Sequence, residues 1–223
     1  LQGQGLYQVE VYDPEEYGNF RQNWAAVQDS SGLMFFANSA GLVGFDGVRW
    51  SSTHDPAGEV ILSLRAHRGN IHWGGIGEFG IIRADTLNRF GPHSLKSRID
   101  TSHHNFSTVW QMVSDGGAVH HEIPNGIYSF AEDSVQVLPT EERILGIFQI
   151  HGKVLVQIHD QGLFFLENGK LNPIAAPEAY SDDKIYVALP AGDGWLLVSR
   201  EQGMVRYNGM EFLPLNTRAS DYL

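Results

Sequence analysis

Gly162-Leu163-Phe164-Phe165-Leu166-Glu167-Asn168-Gly169 and Gly203-Met204-Val205-Arg206-Tyr207-Asn208-Gly209 follow one plan. Each starts on glycine, continues as a short apolar run and ends in an Asn-Gly turn. Gly41-Leu42 with Phe45-Asp46-Gly47, Gly126-Ile127 with Tyr128-Ser129-Phe130, and Gly80-Ile81-Ile82 repeat the plan less closely. The glycines Gly41, Gly80, Gly126, Gly162 and Gly203 stand 39, 46, 36 and 41 residues apart. A period of this length decides the architecture before any local reading.

The surroundings of each glycine repeat as well. Upstream lies a turn: Asp29-Ser30-Ser31-Gly32, His67-Arg68-Gly69-Asn70, Asp115-Gly116-Gly117, His151-Gly152-Lys153 and Gly192-Asp193-Gly194. An apolar run flanks every turn on both sides, as Trp24 to Val27 and Leu33 to Ala37 flank the first. Short runs joined by glycine-bearing turns are hairpin signals, and helical spacing is not sustained anywhere. Four antiparallel strands in about 40 residues make one blade of a β-propeller. A lone blade exposes two apolar faces, so blades must stack around an axis. The expectation is an all-β propeller of about five four-stranded antiparallel blades in a single domain, 1–223. The blades fall near 18–55, 56–100, 101–140, 141–178 and 179–216. An irregular sandwich also spaces its strands, but it does not call for five in-phase copies of one turn pattern.

Composition agrees. Glycine is 25 of 223 residues and charged residues are 18%, which favours tight turns over helical bundles. The net charge of −11 argues against nucleic acid and anionic lipid as partners. With no cysteine, disulfides, thiolate metal sites and a cysteine nucleophile are excluded. No apolar stretch is long enough to span a membrane. The chain opens at Leu1-Gln2-Gly3-Gln4-Gly5 without an initiator Met, and the pattern runs on to Leu223, so it reads as a piece of something longer.

The first unit carries Gln22-Asn23-Trp24, Gln28-Asp29, Gly32, Asn38, Gly41-Leu42, Phe45-Asp46-Gly47 and Trp50, with Tyr12-Asp13-Pro14-Glu15-Glu16-Tyr17 just ahead. The second carries Gly74-Gly75-Ile76-Gly77-Glu78-Phe79-Gly80. These residues resemble the start of the two-component-regulator propeller family, the periplasmic sensor regions of bacterial signalling receptors. The resemblance covers nearly the whole chain but weakens in later units, where Pro124-Asn125-Gly126 and His151-Gly152-Lys153 depart from the pattern. It implies a parent ring of seven blades, with Ser220 to Leu223 leading into a sixth. It also implies a following β-sandwich, membrane helix and output module, and no chemistry in the propeller itself.

In such a ring the starts of the inner strands and the glycine-anchor turns share one face, where polar loops converge on the axis. Candidate ligand-binding residues there are Asn23, Trp24, Asn38, Glu78, His103, His104, Asn125, Gln161 and Arg200. Rings that stack, beside amides, carboxylates and a guanidinium that orient, suit a small polar solute or an oligosaccharide. No cofactor and no metal is expected: His103-His104 and His120-His121 are adjacent pairs, which point to opposite faces of a strand. The longest link, Gly91 to Phe106, holds His93, His103 and His104 and can make binding pH-sensitive. The recurrent Asp/Asn-Gly turns are architecture. A carbohydrate-active hydrolase using Glu78, Asp160 and Glu201 and a protein-interaction scaffold are the alternatives. Gly75-x-Gly77-x-x-Gly80 matches a dinucleotide fingerprint but precedes no helix. The expected partners are the ligand, the rest of the receptor chain and a second copy meeting the end blades, unless five blades close into a ring. Leu33, Phe35, Trp195 and Leu197 are expected among the apolar residues at those ends, with strand alternation leaving open which of them point outward.

Overall fold

Twenty strands, each three to seven residues long, form five separate four-stranded antiparallel sheets in the computed structural model. It describes residues 9–53, 60–86, 89–132, 134–174, 177–215 and 217. The ends singled out above, Leu1 to Gly5 and Ser220 to Leu223, lie outside them. The first sheet holds β1 (Asn23–Gln28), β2 (Met34–Asn38), β3 (Gly41–Phe45) and β4 (Trp50–Thr53). The second holds β5 (Ile61–His67), β6 (Asn70–Gly75), β7 (Phe79–Ala84) and β8 (Phe90–Ser94). The third holds β9 (Met112–Ser114), β10 (Val119–Ile123), β11 (Gly126–Ala131) and β12 (Ser134–Pro139). The fourth holds β13 (Ile144–Ile150), β14 (Lys153–Ile158), β15 (Gly162–Glu167) and β16 (Lys170–Pro173). The fifth holds β17 (Ile185–Ala191), β18 (Gly194–Ser199), β19 (Gly203–Tyr207) and β20 (Phe212–Pro214). Each sheet is a meander in chain order, the blade of a propeller. Among the described residues the one α-helix is the four-residue α1 (Pro14–Tyr17).

The recurrent turn chemistry has local causes. The Oδ1 atoms of Asp46 and Asn208 each accept the backbone N–H groups two and three residues on. Asp29 and Asp115 do the same work in two of the upstream turns. These side chains close turns. Four of the anchor glycines open a third strand, and Gly80 stands one residue inside β7. Gly162 needs its φ of 93°, whereas Gly80 is small because a Cβ there would collide with the His93 carbonyl of β8.

Apolar side chains fill the gaps between successive sheets. Phe35, Leu42, Ile61, Ile71, Trp73 and Ile82 pack between the first and second. Phe79, Val109, Val119, Tyr128 and Phe130 join the second to the third, Ile127, Ile144, Ile147 and Val156 the third to the fourth, and Leu155, Leu163, Trp195 and Leu197 the fourth to the fifth. Polar clasps reinforce the same junctions: Ser63 Oγ donates to Val109 O at 2.8 Å, and Ile147 N donates to Gln111 Oε1 at 3.1 Å. Near the axis Arg65 reaches from β5 to Ser114 Oγ at 3.0 Å and to Gln149 Oε1 at 2.5 Å.

Inner strands pack in series, β1 on β5, β5 on β9, β9 on β13 and β13 on β17, and no packing of that weight joins β17 to β1 among the described residues. The five blades therefore form an arc, and closure as a five-bladed ring is not what the chain adopts. The end residues also differ from expectation. Phe35, Trp195 and Leu197 are buried in junctions, and Leu33 packs against the first one. The outer face of the first sheet is instead Phe36, Phe45 and Trp50, and the N-terminal segment covers it: Tyr12 and Tyr17 lie with ring centroids 5.0 and 5.5 Å from Trp50. The outer face of the fifth sheet, with Val187 and Leu189, is exposed.

Candidate functional site

Inner strands begin with a bulge. The β1–β2 ladder skips a residue between Asn23 and Ala25, and the corresponding skips lie between Ile61 and Ser63, Ile144 and Gly146, and Ile185 and Val187. The residues left out of register are Trp24, Leu62, Leu145 and Tyr186. In the third sheet Glu122 N donates to Gln111 O just beyond the β9–β10 ladder, which gives Trp110 the equivalent place. A bulge frees a residue from the ladder and re-aims its side chain. All five positions lie at or just ahead of the start of an inner strand, and Leu62 is buried there. Three are aromatic, and Trp24, Trp110 and Tyr186 are 41%, 50% and 54% exposed. Trp24 meets Trp110 edge to face at 5.6 Å, and its Nε1 donates to Ser39 Oγ at 3.0 Å.

Beside Trp110 opens a cleft of about 620 Å3, with Gln111, Glu122, Arg143, Leu145 and Lys184 in its walls. It shares Arg143, Leu145 and Lys184 with an adjoining lobe of about 410 Å3 that adds His159, Asp182 and Arg200. Ends of blades three, four and five supply these groups. Arg143 and Lys184 make no ion pair or side-chain hydrogen bond among the described residues; the Lys184 ammonium lies 5.9 Å from the centre of the Tyr186 ring. Arg200 is held by Glu201 at 2.7 Å, and His159 lies 3.3 Å from Asp160 and 3.5 Å from Asp182. A wider opening of about 910 Å3 between β4 and β8 shares no residue with either lobe.

Burial pushes the Glu122 carboxyl up to about 7, against the pull of Lys184 and Arg143. A carboxyl with a raised pKa in the folded state stabilises the fold fully only below its unfolded value near 4.5, and that contribution is lost as the pH rises to 7 and beyond. Glu122→Gln has no such loss. Relative to the native chain it is expected to gain about 1–3 kcal/mol between about pH 5 and about pH 8. Urea denaturation of both proteins at the two pH values measures this; equal pH dependence would count against a buried, proton-binding Glu122.

The residues expected from sequence separate into three groups. Trp24 and Arg200 belong to the cleft region, one through Trp110 and one directly. Asn38 and His104 are occupied structurally. Asn38 is fully buried, its Nδ2 donating to Phe20 O and Asn23 Oδ1 and its Oδ1 accepting from Ala40 N, which also engages Asn23. The His104 Nε2 lies 3.1 Å from Ile99 O. Glu78, His103, Asn125 and Gln161 sit in front-face turns and links outside both lobes. Glu78 Oε1 is buried without a partner among the described residues, and the His103 carbonyl accepts from Tyr128 Oη at 2.5 Å.

Trp110, Glu122, Arg143 and Lys184 were not singled out by sequence as site residues. One signal was present: a Glu in the otherwise buried strand Val119–Ile123. The neighbouring histidines behave as strand alternation requires. His120 bonds Ser129 Oγ at 2.9 Å, while His121 faces Phe79 and Phe130. Burial holds His121 well below the usual histidine range and His72, 5.6 Å away, at about 4.

No family model matches the chain, and no curated protein matches its sequence. Solved structures do match its fold. The extracellular domain assigned to a hybrid two component system of B. thetaiotaomicron superposes with a TM-score of 0.61 at 16% identity, over 86% of this chain and 27% of that one. Virginiamycin B lyase from Staphylococcus aureus, in a catalytically inactive form with quinupristin, gives 0.62 at 10% identity over 88% and 70%. PorZ, a surface component of the type-IX secretion system of Porphyromonas gingivalis, gives 0.58 at 12% identity over 89% and 26%. The fold is that of a β-propeller, and the chain spans about a quarter of the length of the receptor domain it matches.

Proposed function

We propose that this chain is the ligand-sensing propeller of a bacterial two-component or diguanylate-cyclase type receptor. In this reading it belongs to the two-component-regulator propeller family, lies on the periplasmic side and performs no chemistry. Its ligand is a small polar solute or oligosaccharide bound at the front cleft. The observation that carries the reading is the bulge-positioned Trp24 and Trp110 beside cations that have no partner of their own: rings to stack on and free polar groups to orient a solute. The motifs of the first two units and the match in fold to a receptor's extracellular domain support the receptor context. Signalling then requires that the ligand favour one arrangement of the receptor over another. The bare face of the fifth sheet fits a further blade of a larger ring, and the isolated arc self-associates through it.

A lyase shares the fold, and fold alone does not decide chemistry. The cleft favours binding. Glu122 and Asp182 lie in different lobes, and Glu78, Asp160 and Glu201, the carboxylates that suggest a glycoside hydrolase by their recurrence, line neither lobe. The test is tryptophan fluorescence titration against neutral and acidic oligosaccharides, followed by chromatography of the recovered sugars. Saturable binding that Trp110→Ala weakens about tenfold or more, with intact sugar recovered, is the expected result. Bond cleavage that disappears in Glu122→Gln would make the protein an enzyme and overturn the reading.

A further inference from the structure

On a chain whose net charge is −11, three cations meet a carboxylate directly. Lys153 meets Glu167 at 2.8 Å, Arg89 meets Asp85 at 2.7 Å and Arg200 meets Glu201 at 2.7 Å. Arg143 and Lys184 face one cleft without such a partner. Both stand at the very start of an inner strand, Arg143 ahead of β13 and Lys184 ahead of β17. Their backbones are held in place: His159 N donates to Arg143 O and Arg200 N to Lys184 O, each at 2.9 Å. Glu122 shares the cleft with both cations and feels their charge, and burial disposes it to keep its proton. Exposed indole at Trp110 forms the adjoining wall.

We propose that the front cleft takes an acidic saccharide, with the acid group set between Arg143 and Lys184 and a sugar face against Trp110. This deepens the sensing reading above and rests on it. The chemistry follows from what each wall offers. Two cations lining one cleft gain more from an anion than from a hydroxyl. An indole takes the apolar face of a pyranose and has no use for a bare inorganic ion. Glu122 regulates the affinity. Its charged form competes with the ligand for Arg143 and Lys184, the two charged groups that act on it in this cleft, while its protonated form can donate to the acid group. Binding therefore tightens as the pH falls through neutrality, and Glu122→Gln binds tightly at both ends of the range.

The probes are trigalacturonic acid, its full methyl ester and a sulfated disaccharide, titrated into the native chain with tryptophan fluorescence as the readout. At least one acid-bearing sugar is expected to bind about tenfold or more tightly than the ester. Lys184→Ala and Arg143→Ala each remove most of that preference while circular dichroism stays unchanged. Added salt weakens the acid ligand and spares the ester. The carboxylated and sulfated probes separate the two kinds of acid group. If ester and acid bind alike, or both alanine variants keep the preference, the acidic assignment fails and the sensing reading stands. If no sugar perturbs the fluorescence, both fail. Equal binding of inorganic sulfate and the sulfated sugar would remove the saccharide from the proposal.

Discussion

Replacing Trp73 by alanine is expected to cost about 3–5 kcal/mol, the range for deleting a fully buried aromatic side chain and leaving its cavity. Trp73 has no exposed surface, and its indole packs in the junction between the first and second sheets with Phe35, Leu42 and Ile61. Two glycines pack close to it. A Cβ on Gly80 would lie 2.8 Å from the indole Nε1, and one on Gly75 would lie 3.4 Å from the ring. The backbone there cannot collapse inward to fill the void without breaking the β6–β7 ladder, so the cavity persists. In an arc whose blades pack mainly on their neighbours, most of the damage stays local. The first blade is expected to detach before blades three to five unfold, giving a split urea transition. A single transition shifted by less than 1 kcal/mol would show that this junction is not held by Trp73.

Gln157→Leu is expected to cost a similar amount, about 3–5 kcal/mol, through hydrogen bonds instead of volume. The Gln157 side chain is fully buried in β14, and its Nε2 donates to Tyr180 O and to Asp183 O, both at 2.8 Å. Its Oε1 accepts from Ile185 N at 3.0 Å. Leucine fills nearly the same space and strands three buried backbone groups, each costing about 1–3 kcal/mol less what water recovers. The segment so released runs from Tyr180 to Ile185 and carries Lys184. The variant should therefore lose acid-ligand affinity although Gln157 lines neither lobe of the cleft. Amide exchange at Ile185, read beside urea stability, checks the route. Unchanged exchange with weakened binding would mean that Gln157 acts on the site by some other path.

Both effects rest on residues whose importance is visible in different degrees from sequence. The glycine-anchored runs foretell all five meanders, because strand alternation and turn chemistry are local: Asp46 and Asn208 close their own turns and Gly162 supplies its own positive φ. Which face of an end blade is bare was not legible. Alternation divides Trp195 and Leu197 from Val187 and Leu189 but does not say which pair meets the fourth sheet; the pleat, set by the bulge between Ile185 and Val187, decides it. The cover over the first blade was equally hidden, since it depends on Tyr12 and Tyr17 folding back across Trp50.

The candidate site shows the same division more sharply. Sequence placed Trp24 and Arg200 on the front face because the face follows from strand order. It also placed Asn38 there, yet a short polar side chain beside a turn is satisfied by the nearest backbone, and Asn38 spends its groups on Phe20 O and Ala40 N. By itself the sequence determined the blade, its repeat and the face on which inner strands begin, all products of interactions a few residues apart. Only the tertiary structure decided that Trp110, Glu122, Arg143 and Lys184, drawn from three blades, share one cleft. Their meeting depends on how far each inner strand is rotated by its bulge and by the packing of its neighbour. That rotation is a property of side-chain volumes in the junctions, which no local pattern in the chain encodes.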